Sequence, residues 1–214
     1  MEIRTVELFS GTKSFSCVAH TFGYRTLTID NDPRHHADVV ADILVLERIP
    51  RAHIVWASPP CEAFSVAAIG RNWNRDHTPK HERAFFAQKV VRKTMALIKE
   101  SRSTWWFVEN PRGMLRKLAW FERSVREMGG TRRTVTYCQY GDTRMKPTDI
   151  WTNASWWTPH APCKSGGACH EAAPRGAKTG TQGLRGSVER GRIPPALFGE
   201  IFTQLPILRQ REVA

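Results

Sequence analysis

The sequence has no long apolar run, few cysteines and a shortage of acidic residues. No segment approaches the roughly 20 consecutive apolar residues of a membrane span. The N-terminal MEIRTVELF also lacks the charged-then-apolar layout of a signal peptide. We therefore expect a soluble, cytoplasmic protein that does not bind membranes. Five cysteines in 214 residues are too few, and odd in number, for a disulfide scaffold, which indicates buried, catalytic or metal-bound thiols.

The shortage of acidic residues is concentrated in one part of the chain. There are 32 Lys and Arg against 20 Asp and Glu, a net charge of +12. Residues 71–133 carry 16 basic and 6 acidic residues, whereas residues 1–70 carry 6 basic and 8 acidic ones. A basic block of this kind is either a solvated helix face or the binding surface for a polyanion, and both interpretations stay open here.

The length predicts one domain with a modest appendage, because 214 residues only moderately exceed the ~150 residues of a typical domain. The apolar pattern indicates that this domain is of the α/β class. Three- and four-residue apolar spacing predicts a long helix at 80–99, and a proline-initiated run predicts a closing helix at 194–205. Strands alternating with helices indicate a mostly parallel sheet, with ligands bound beyond the carboxyl ends of its strands. The predicted strands are residues 3–9, 24–29, 37–43, 53–57 and 104–108, with a further β-like run at 132–140.

Chemically useful side chains follow several of these strands. Asp30 comes 19 residues after Gly11, near the ~20-residue spacing at which nucleotide-binding folds place an acid for ribose hydroxyls, although a turn aspartate fits equally. Cys61 follows Ser-Pro-Pro and is either a nucleophile activated by nearby positive charge or a small buried residue. Glu109 emerges beside bulky aromatic residues. It is therefore either a proton carrier with a raised pKa or a cap for the next segment.

Six short motifs carry a resemblance to a known family. They are ELFSG at 7–11, TIDND at 28–32, ADI at 41–43, SPPC at 58–61, FVENP at 107–111 and QYG at 139–141. Their order and approximate spacing resemble those of the DNA cytosine-5 methyltransferases, in a compact, phage-type form. The resemblance implies a Rossmann-like methyltransferase fold that uses S-adenosylmethionine, with a mostly parallel sheet and a small irregular recognition region.

The resemblance also implies roles for individual residues. Cys61 would attack C6 of a cytosine rotated out of the duplex, and Glu109 would donate a hydrogen bond or proton to N3. The attack turns C5 into a nucleophile that accepts the methyl group. The implied S-adenosylmethionine contacts are Phe9, Ser10 and Gly11, which would wrap the cofactor, Asp30 at the ribose, and Asp42 and Ile43 at the adenine. Pro59 is a further expected cofactor contact.

The chain departs from the family pattern in two places that affect the site. Thr12-Lys13-Ser14 stands where the family usually has a glycine pair. The family's Gln-x-Arg-x-Arg, whose last arginine reaches the target base, reads Arg144, Lys146 and Thr148 at the corresponding positions. Either Arg144 or Lys146 would take over the catalytic role, or both would contact the DNA backbone instead.

The recognition region is unusually small. The pattern divides the chain into a catalytic domain at 1–151, a miniature recognition region at 152–192 and a returning C-terminal helix at 193–214. A unit of about 40 residues cannot build a sizeable core and usually needs a metal or disulfide. The candidate ligands of a structural zinc ion are Cys138, Cys163, Cys169 and His170, with His160 as an alternative. Reduced cysteines in a loop are the competing interpretation.

DNA contacts are expected from two segments. Residues 62–79 would close over the flipped base, with Arg71 and Arg75 on phosphates and Trp73 or Phe64 filling the vacated stack. In the recognition region, Arg175, Lys178 and Gln182 would contact base edges or phosphates.

The sequence thus predicts a monomeric DNA cytosine-5 methyltransferase of a prokaryote or phage-infected cell, of the kind found in restriction–modification. Two alternatives remain: a methyltransferase that acts on tRNA, and a DNA-binding regulatory protein derived from the same fold.

Overall fold

The central sheet sets the positions of all the motifs. The computed structural model describes residues 2–172 and 186–206. Within these ranges seven strands are arranged in the order β3-β2-β1-β4-β5-β7-β6. The first five strands along the chain are parallel, and β7 lies between β5 and β6, antiparallel to both. The strands are β1 Arg4–Leu8, β2 Arg25–Asp30, β3 Val39–Val40, β4 Ile54–Ala57, β5 Trp105–Pro111, β6 Thr131–Thr136 and β7 Pro147–Thr152.

Helices cover both faces of this sheet. The longest, α3, buries one apolar stripe and is capped by the ring of His81, which accepts a hydrogen bond from the Arg83 amide. Among the described helices there is none whose length and apolar character would let it cross a membrane. The helices are α1 Ser14–Thr21, α2 Ile69–Asn72, α3 Glu82–Ser101, α4 Ala119–Glu127, α5 Ser187–Gly191 and α6 Pro195–Thr203.

The core consists of two apolar layers, one on each face of the sheet. Alternate residues of the strands point to opposite faces, so Val6 and Leu8 pack with α3 and α4. Trp56 and Phe107 on the other face pack with α1 and α6. Because the middle strands are covered on both sides, they read in the sequence as continuous apolar runs.

Helix α6 closes the second layer, as the sequence predicted. Phe198 and Phe202 pack edge-on against Phe15, with ring centroids 5.5 and 5.3 Å apart. The indole of Trp157 is fully buried in the same layer and donates a hydrogen bond to Glu200 at 2.9 Å. The first part of the predicted recognition region therefore packs against α6. The boundaries at 151 and 192 remain a prediction.

The structure differs from the predicted elements in the second half of the sheet. Strand β5 extends to Pro111, because its last residues pair with β7, which was not predicted. The run at 132–140 is a strand only to Thr136 and then turns into a 3₁₀-helix at Tyr137–Tyr140. Helix α4 was also not predicted, and the strand predicted at 37–43 is reduced to Val39–Val40.

The strand order creates a crevice beside β1 and β4. Along the chain, β2 and β3 are added on one side of β1, whereas β4 and β5 are added on the other. The connections therefore leave the carboxyl ends of β1 and β4 in opposite directions, the arrangement that opens a ligand site in such sheets. The loops at 9–13 and 58–61 follow these two strands.

Candidate active site

The loop that carries Cys61 is bonded to the strand that carries Glu109. The Asn110 side-chain amide donates to the Pro59 carbonyl oxygen at 3.0 Å, and Asn110 is fully buried. The Met114 amide donates to the Phe64 carbonyl oxygen at 2.7 Å, which anchors the turn just after Cys61. These bonds bring the Pro-Pro-Cys and Glu-Asn-Pro motifs together at the carboxyl edge of the sheet, as their positions after β4 and along β5 predicted.

Gly113 allows this close approach. A Cβ atom at position 113 would lie 2.2 Å from the Phe64 carbonyl oxygen, well inside van der Waals contact. No side chain larger than hydrogen fits there without moving the backbone after Cys61. The sequence analysis did not identify this glycine.

Glu109 is buried and accepts a hydrogen bond from a tyrosine. The Tyr137 hydroxyl donates to Glu109 Oε1 at 3.0 Å. Burial raises the pKa of Glu109 above that of an ordinary glutamate, and the positive charge of Lys146 is the largest opposing effect. Hydrogen bonds from Tyr137 and Ser58 also oppose the increase. The site therefore favours the neutral carboxyl, which is the form that donates a proton.

The half-buried Cys61 thiol responds to the same two charges. Its pKa is raised, first by burial and then by the negative charge of Glu109, while Lys146 lowers it. When Glu109 is neutral, its repulsion of the thiolate is removed, while burial still raises the pKa of Cys61 and the charge of Lys146 still lowers it. A protonated Glu109 and the charge of Lys146 therefore both offset part of the effect of burial on the Cys61 thiol.

Lys146 and Arg144 occupy different environments. The Lys146 ammonium lies 4.6 Å from the centre of the Tyr137 ring and donates to the Arg190 carbonyl oxygen at 2.7 Å. Burial lowers its pKa, and the charge of Glu109 is the largest effect in the other direction. Lys146 also adopts a positive φ of 28°, a strained conformation of the kind found at functional sites.

Arg144 binds the backbone of residues 189–192. Its guanidinium pairs with Asp142 and donates to the carbonyl oxygens of Glu189, Arg190 and Arg192, and only 6% of the residue is exposed. Of the two predicted basic residues, Lys146 is the one whose charge acts on Cys61 and Glu109.

The loop after β1 has the conformation of a ligand-binding turn. Phe9 and Gly11 have positive φ values of 58° and 42°, and the Gly11 amide donates to Asp30 Oδ2 at 2.8 Å. The Ser10 hydroxyl is buried and has no hydrogen-bond partner among residues 2–172 and 186–206, which leaves it available to a ligand. Lys13, in place of a family glycine, adopts a φ of 54°.

The predicted ribose and adenine contacts have protein partners of their own. Asp30 Oδ1 accepts from the Asp32 amide at 2.9 Å and lies 3.0 Å from the ring of His35. Asp42 is exposed and accepts from the Leu44 amide at 2.9 Å. Among the other predicted contacts, Ile43 and Pro59 are buried.

Trp73 is not an exposed loop residue, contrary to the prediction that it enters the DNA stack. Its indole is 3% exposed, donates to the Ala63 carbonyl oxygen at 2.7 Å and stacks on the buried ring of Phe64. Both rings fill the core layer under the loop, so neither reaches DNA in this conformation. Arg71 and Arg75 are exposed, as a phosphate contact requires. Arg175, Lys178 and Gln182 lie outside the described residues.

Four predicted metal ligands lie together. The donor atoms of Cys138, Cys163, Cys169 and His170 are all within 4.8 Å of one another. Cys163 Sγ is 3.2 Å from Cys169 Sγ and 3.6 Å from His170 Nδ1. Three thiols and one imidazole form a donor set typical of structural zinc. His160 is separate from the cluster: its ring stacks on Tyr140 and its Nε2 lies 3.2 Å from Glu200.

Sequence similarity to a known protein extends over almost the whole chain. The chain is 28% identical to a probable DNA (cytosine-5)-methyltransferase of Frog virus 3 (isolate Goorha), over 94% of this chain and 99% of that protein. No protein-family model matches the chain. The resemblance to DNA cytosine-5 methyltransferases is confirmed.

Solved methyltransferases share the fold. A candidate DNA modification methyltransferase encoded within an E. coli prophage superposes with a TM-score of 0.52, at 14% identity, over 71% of this chain and 46% of that one. The Entamoeba histolytica methyltransferase EhMeth gives a TM-score of 0.52 at 9% identity, over 77% of this chain and 57% of that one. The chain thus spans about half the length of these two structures, and at such low identity they establish the methyltransferase fold alone.

Tyr137 is the main site residue that the sequence analysis missed. It lies 28 residues after Glu109 and outside the quoted methyltransferase motifs. Its sequence signal is a phenol that directly follows a β-like run, where a hydroxyl that becomes buried needs a hydrogen-bond partner.

Proposed function

We propose that this protein transfers a methyl group from S-adenosylmethionine to C5 of cytosine in DNA. The observation that carries the proposal is the buried Glu109 carboxyl beside the Cys61 loop, with Lys146 acting on both. Similarity to a viral protein of that name over 94% of the chain supports the same reaction.

In this mechanism Cys61 and Glu109 share the activation of the base. The Cys61 thiolate attacks C6 and forms a C6–S bond, while Glu109 donates its proton to N3, so the attack leaves an enamine with a nucleophilic C5. The positive charge of Lys146 stabilises the thiolate before the attack. S-adenosylmethionine supplies an electrophilic methyl group, which C5 accepts. Loss of the C5 proton and of the N3 proton, with cleavage of the C6–S bond, restores the aromatic ring and the Cys61 thiolate.

S-adenosylmethionine would bind in the crevice beyond β1 and β4. The unpartnered hydroxyl of Ser10 and the positive φ values of Phe9 and Gly11 fit a backbone that closes around a ligand. Pro59, buried in the loop after β4, remains an assigned cofactor contact. The ribose contact remains assigned to Asp30, whose carboxylate keeps one lone-pair position free beyond its three internal bonds. Asp42 and Ile43 remain the assigned adenine contacts.

DNA is the proposed partner because the segment after the proposed nucleophile Cys61 is strongly basic, as a phosphate-binding surface requires. Residues 71–133 carry a net +10, and Arg71 and Arg75 are exposed in the loop after Cys61. We expect binding to duplex DNA to weaken steeply between 50 and 200 mM salt, by roughly 10³-fold or more if six or more phosphates are contacted. Fluorescence anisotropy with a labelled duplex measures this dependence, and an affinity that stays flat would argue against a phosphate-binding surface.

We also propose that Cys138, Cys163, Cys169 and His170 bind a structural zinc ion. A tetrahedral ion at ~2.3 Å from each sulfur places the sulfurs about 3.8 Å apart, which small side-chain shifts achieve from the observed separation. The cluster joins Cys138, in the turn after β6, to the segment around 163–170. Purified protein should contain one zinc per chain, and chelation should lower its melting temperature. Well under one zinc, with stability unchanged by chelator, would refute the site.

Covalent trapping tests the proposed reaction. With S-adenosylmethionine present, a duplex containing 5-fluorocytosine should form a stable adduct with the wild type, because fluorine at C5 blocks the elimination step. The Cys61→Ser variant should form none. The same assay on 5-fluorocytosine-containing tRNA examines the RNA alternative, which an adduct on tRNA and not on DNA would favour. Binding of DNA without any adduct would favour a regulatory protein.

A further inference from the structure

A buried tyrosine contacts the Glu109 carboxyl, near the position at which the family carries the arginine that reaches the target base. The Tyr137 ring is fully buried, and its hydroxyl donates to Glu109 Oε1 at 3.0 Å. The Lys146 ammonium lies over the face of the same ring, 4.6 Å from its centre. The Lys146 ammonium therefore contacts the face of the Tyr137 ring, whereas the hydrogen bond to Glu109 is made by the hydroxyl at the edge of that ring.

The arrangement of the sheet explains why tyrosine reaches this point. The position of the family's last arginine is Thr148, which pairs with Pro111 of β5 on one side and Val135 of β6 on the other. Thr148 is fully buried and lies beside Tyr137, and its hydroxyl donates to the Lys146 carbonyl oxygen at 3.1 Å. Threonine is too short to extend to the base itself, and the space beside Glu109 is filled by Tyr137 from the turn after β6.

We propose that Tyr137 is a positioning residue that fixes the Glu109 carboxyl for the target base. This inference rests on the proposed methyl transfer. Because the Tyr137 hydroxyl donates to Oε1, that oxygen acts as the acceptor, and the carboxyl proton resides on Oε2. The protonated oxygen then faces N3 of the cytosine, with Ser58 as the other side chain that hydrogen-bonds this carboxyl.

A neutral donor also suits the protonation state that the reaction requires. An arginine at hydrogen-bonding distance would favour the ionised carboxylate strongly, whereas a phenol favours it only weakly. The charged and titratable groups that act on Glu109 are Lys146, Tyr137 and Asp149, with Cys61 on the adjoining loop. Among these groups, Tyr137 donates a hydrogen bond to Glu109 Oε1 and so fixes that oxygen as an acceptor.

The test is the Tyr137→Phe variant, which keeps the ring and removes the hydroxyl. We expect kcat to fall roughly 10- to 100-fold with little change in KM for DNA, as for loss of one positioned donor. Since the lost hydrogen bond stabilised ionised Glu109, the alkaline limb of the pH–rate profile should also move to higher pH. A merely structural role for Tyr137 would not move that limb.

The matched control is Tyr140→Phe, in the same turn. Its hydroxyl donates to a different carboxylate, Glu200 Oε1, at 3.0 Å. This variant should lose stability but keep the wild-type alkaline limb. If Tyr137→Phe does not fold, Thr148→Val replaces it, with a smaller decrease in kcat expected.

Two negative outcomes are distinguishable. A wild type that traps 5-fluorocytosine DNA, combined with a Tyr137→Phe variant of unchanged kcat and pH profile, would overturn the role of Tyr137 alone. If Thr148→Val is the variant used, unchanged kinetics would likewise overturn it. A wild type that never traps the base would instead overturn the proposed function.

Discussion

The loops after β1 and β2 and the loops after β4 and β5 lie at the same edge of the sheet but are held in different ways. On the first side, the bond from the Gly11 amide to Asp30 joins the loops of two consecutive parallel strands. On the second side, Glu109 depends on Tyr137 and Lys146, which lie in and after the 3₁₀ turn between β6 and the inserted strand β7. The cofactor side is therefore built from consecutive segments of the chain, whereas the chemistry of the substrate side needs the insertion of a strand from further along it.

The largest effect is expected from Cys61→Ser, on the substrate side. A serine hydroxyl is far less ionised than a thiol at neutral pH, so attack on C6 should fail and the rate should fall by at least about 10³-fold. Single-turnover methyl transfer measures this change. The folded structure should persist, since serine fills nearly the same space. Substantial remaining activity would show that the reaction does not pass through a Cys61 adduct.

Glu109→Gln should have the next largest effect. The amide keeps the size of the carboxyl but cannot transfer a proton to N3, so kcat should fall roughly 10²- to 10³-fold. The control is Glu200→Gln, which changes a carboxylate bonded to Tyr140 and Trp157 away from Cys61. If both variants lose activity equally, the loss comes from destabilisation and not from proton donation.

The buried Glu7 of β1, on the cofactor side, should make the free energy of unfolding depend on pH. Its buried carboxylate accepts from the Phe15 and Ser16 amides, and burial raises its pKa from 4.5 to about 7. The folded state therefore binds this proton more tightly than the unfolded chain. The free energy of unfolding should decrease by about 3 kcal/mol as pH rises from 4.5 to about 7, and then stay level.

The Glu7→Gln variant isolates that contribution, because glutamine does not titrate. Urea unfolding at pH 5 and pH 8 should show a smaller loss of stability for the variant than for the wild type. Cys61 and Glu109 titrate equally in both proteins, so their effects cancel in the difference. Parallel curves for the two proteins would mean that Glu7 is already ionised at pH 5.

The smallest effect is expected at Lys13. Its φ of 54° is unfavourable for any residue with a Cβ, and its ammonium donates to the His36 carbonyl oxygen at 2.6 Å. Lys13→Gly and Lys13→Ala both remove this bond, but glycine alone relieves the backbone strain. We expect the glycine variant to be more stable than the alanine variant by about 1 kcal/mol. Equal melting temperatures would show that the turn carries no strain.

The same contrast between the two sides explains what the sequence could predict. Strands β1 and β2 are β-rich segments and β4 and β5 contain apolar runs, and all four end in recognisable motifs. The positions of Gly11, Cys61 and Glu109 at one edge therefore followed from the pattern. The cysteine cluster also followed, because a region too small for its own core needs another source of stability.

Other features depend on long-range pairing that no local pattern reveals. Strand β7 enters the sheet between β5 and β6, and this insertion brings Thr148 to Tyr137. Trp73 is buried because its ring stacks on Phe64, although its surroundings in the sequence are polar. In both cases tertiary packing decides the role of the residue.

Identifying the methylated product shows most directly whether the protein methylates C5 of cytosine in DNA. Unmodified duplex DNA would be incubated with the protein and S-adenosylmethionine carrying a deuterated methyl group, then digested to nucleosides for mass spectrometry. If Cys61 activates C5 of cytosine, the wild type should form deuterated 5-methylcytosine and Cys61→Ser should form none. A deuterated methyl group on an exocyclic nitrogen, or 5-methylcytosine formed equally by Cys61→Ser, would contradict it.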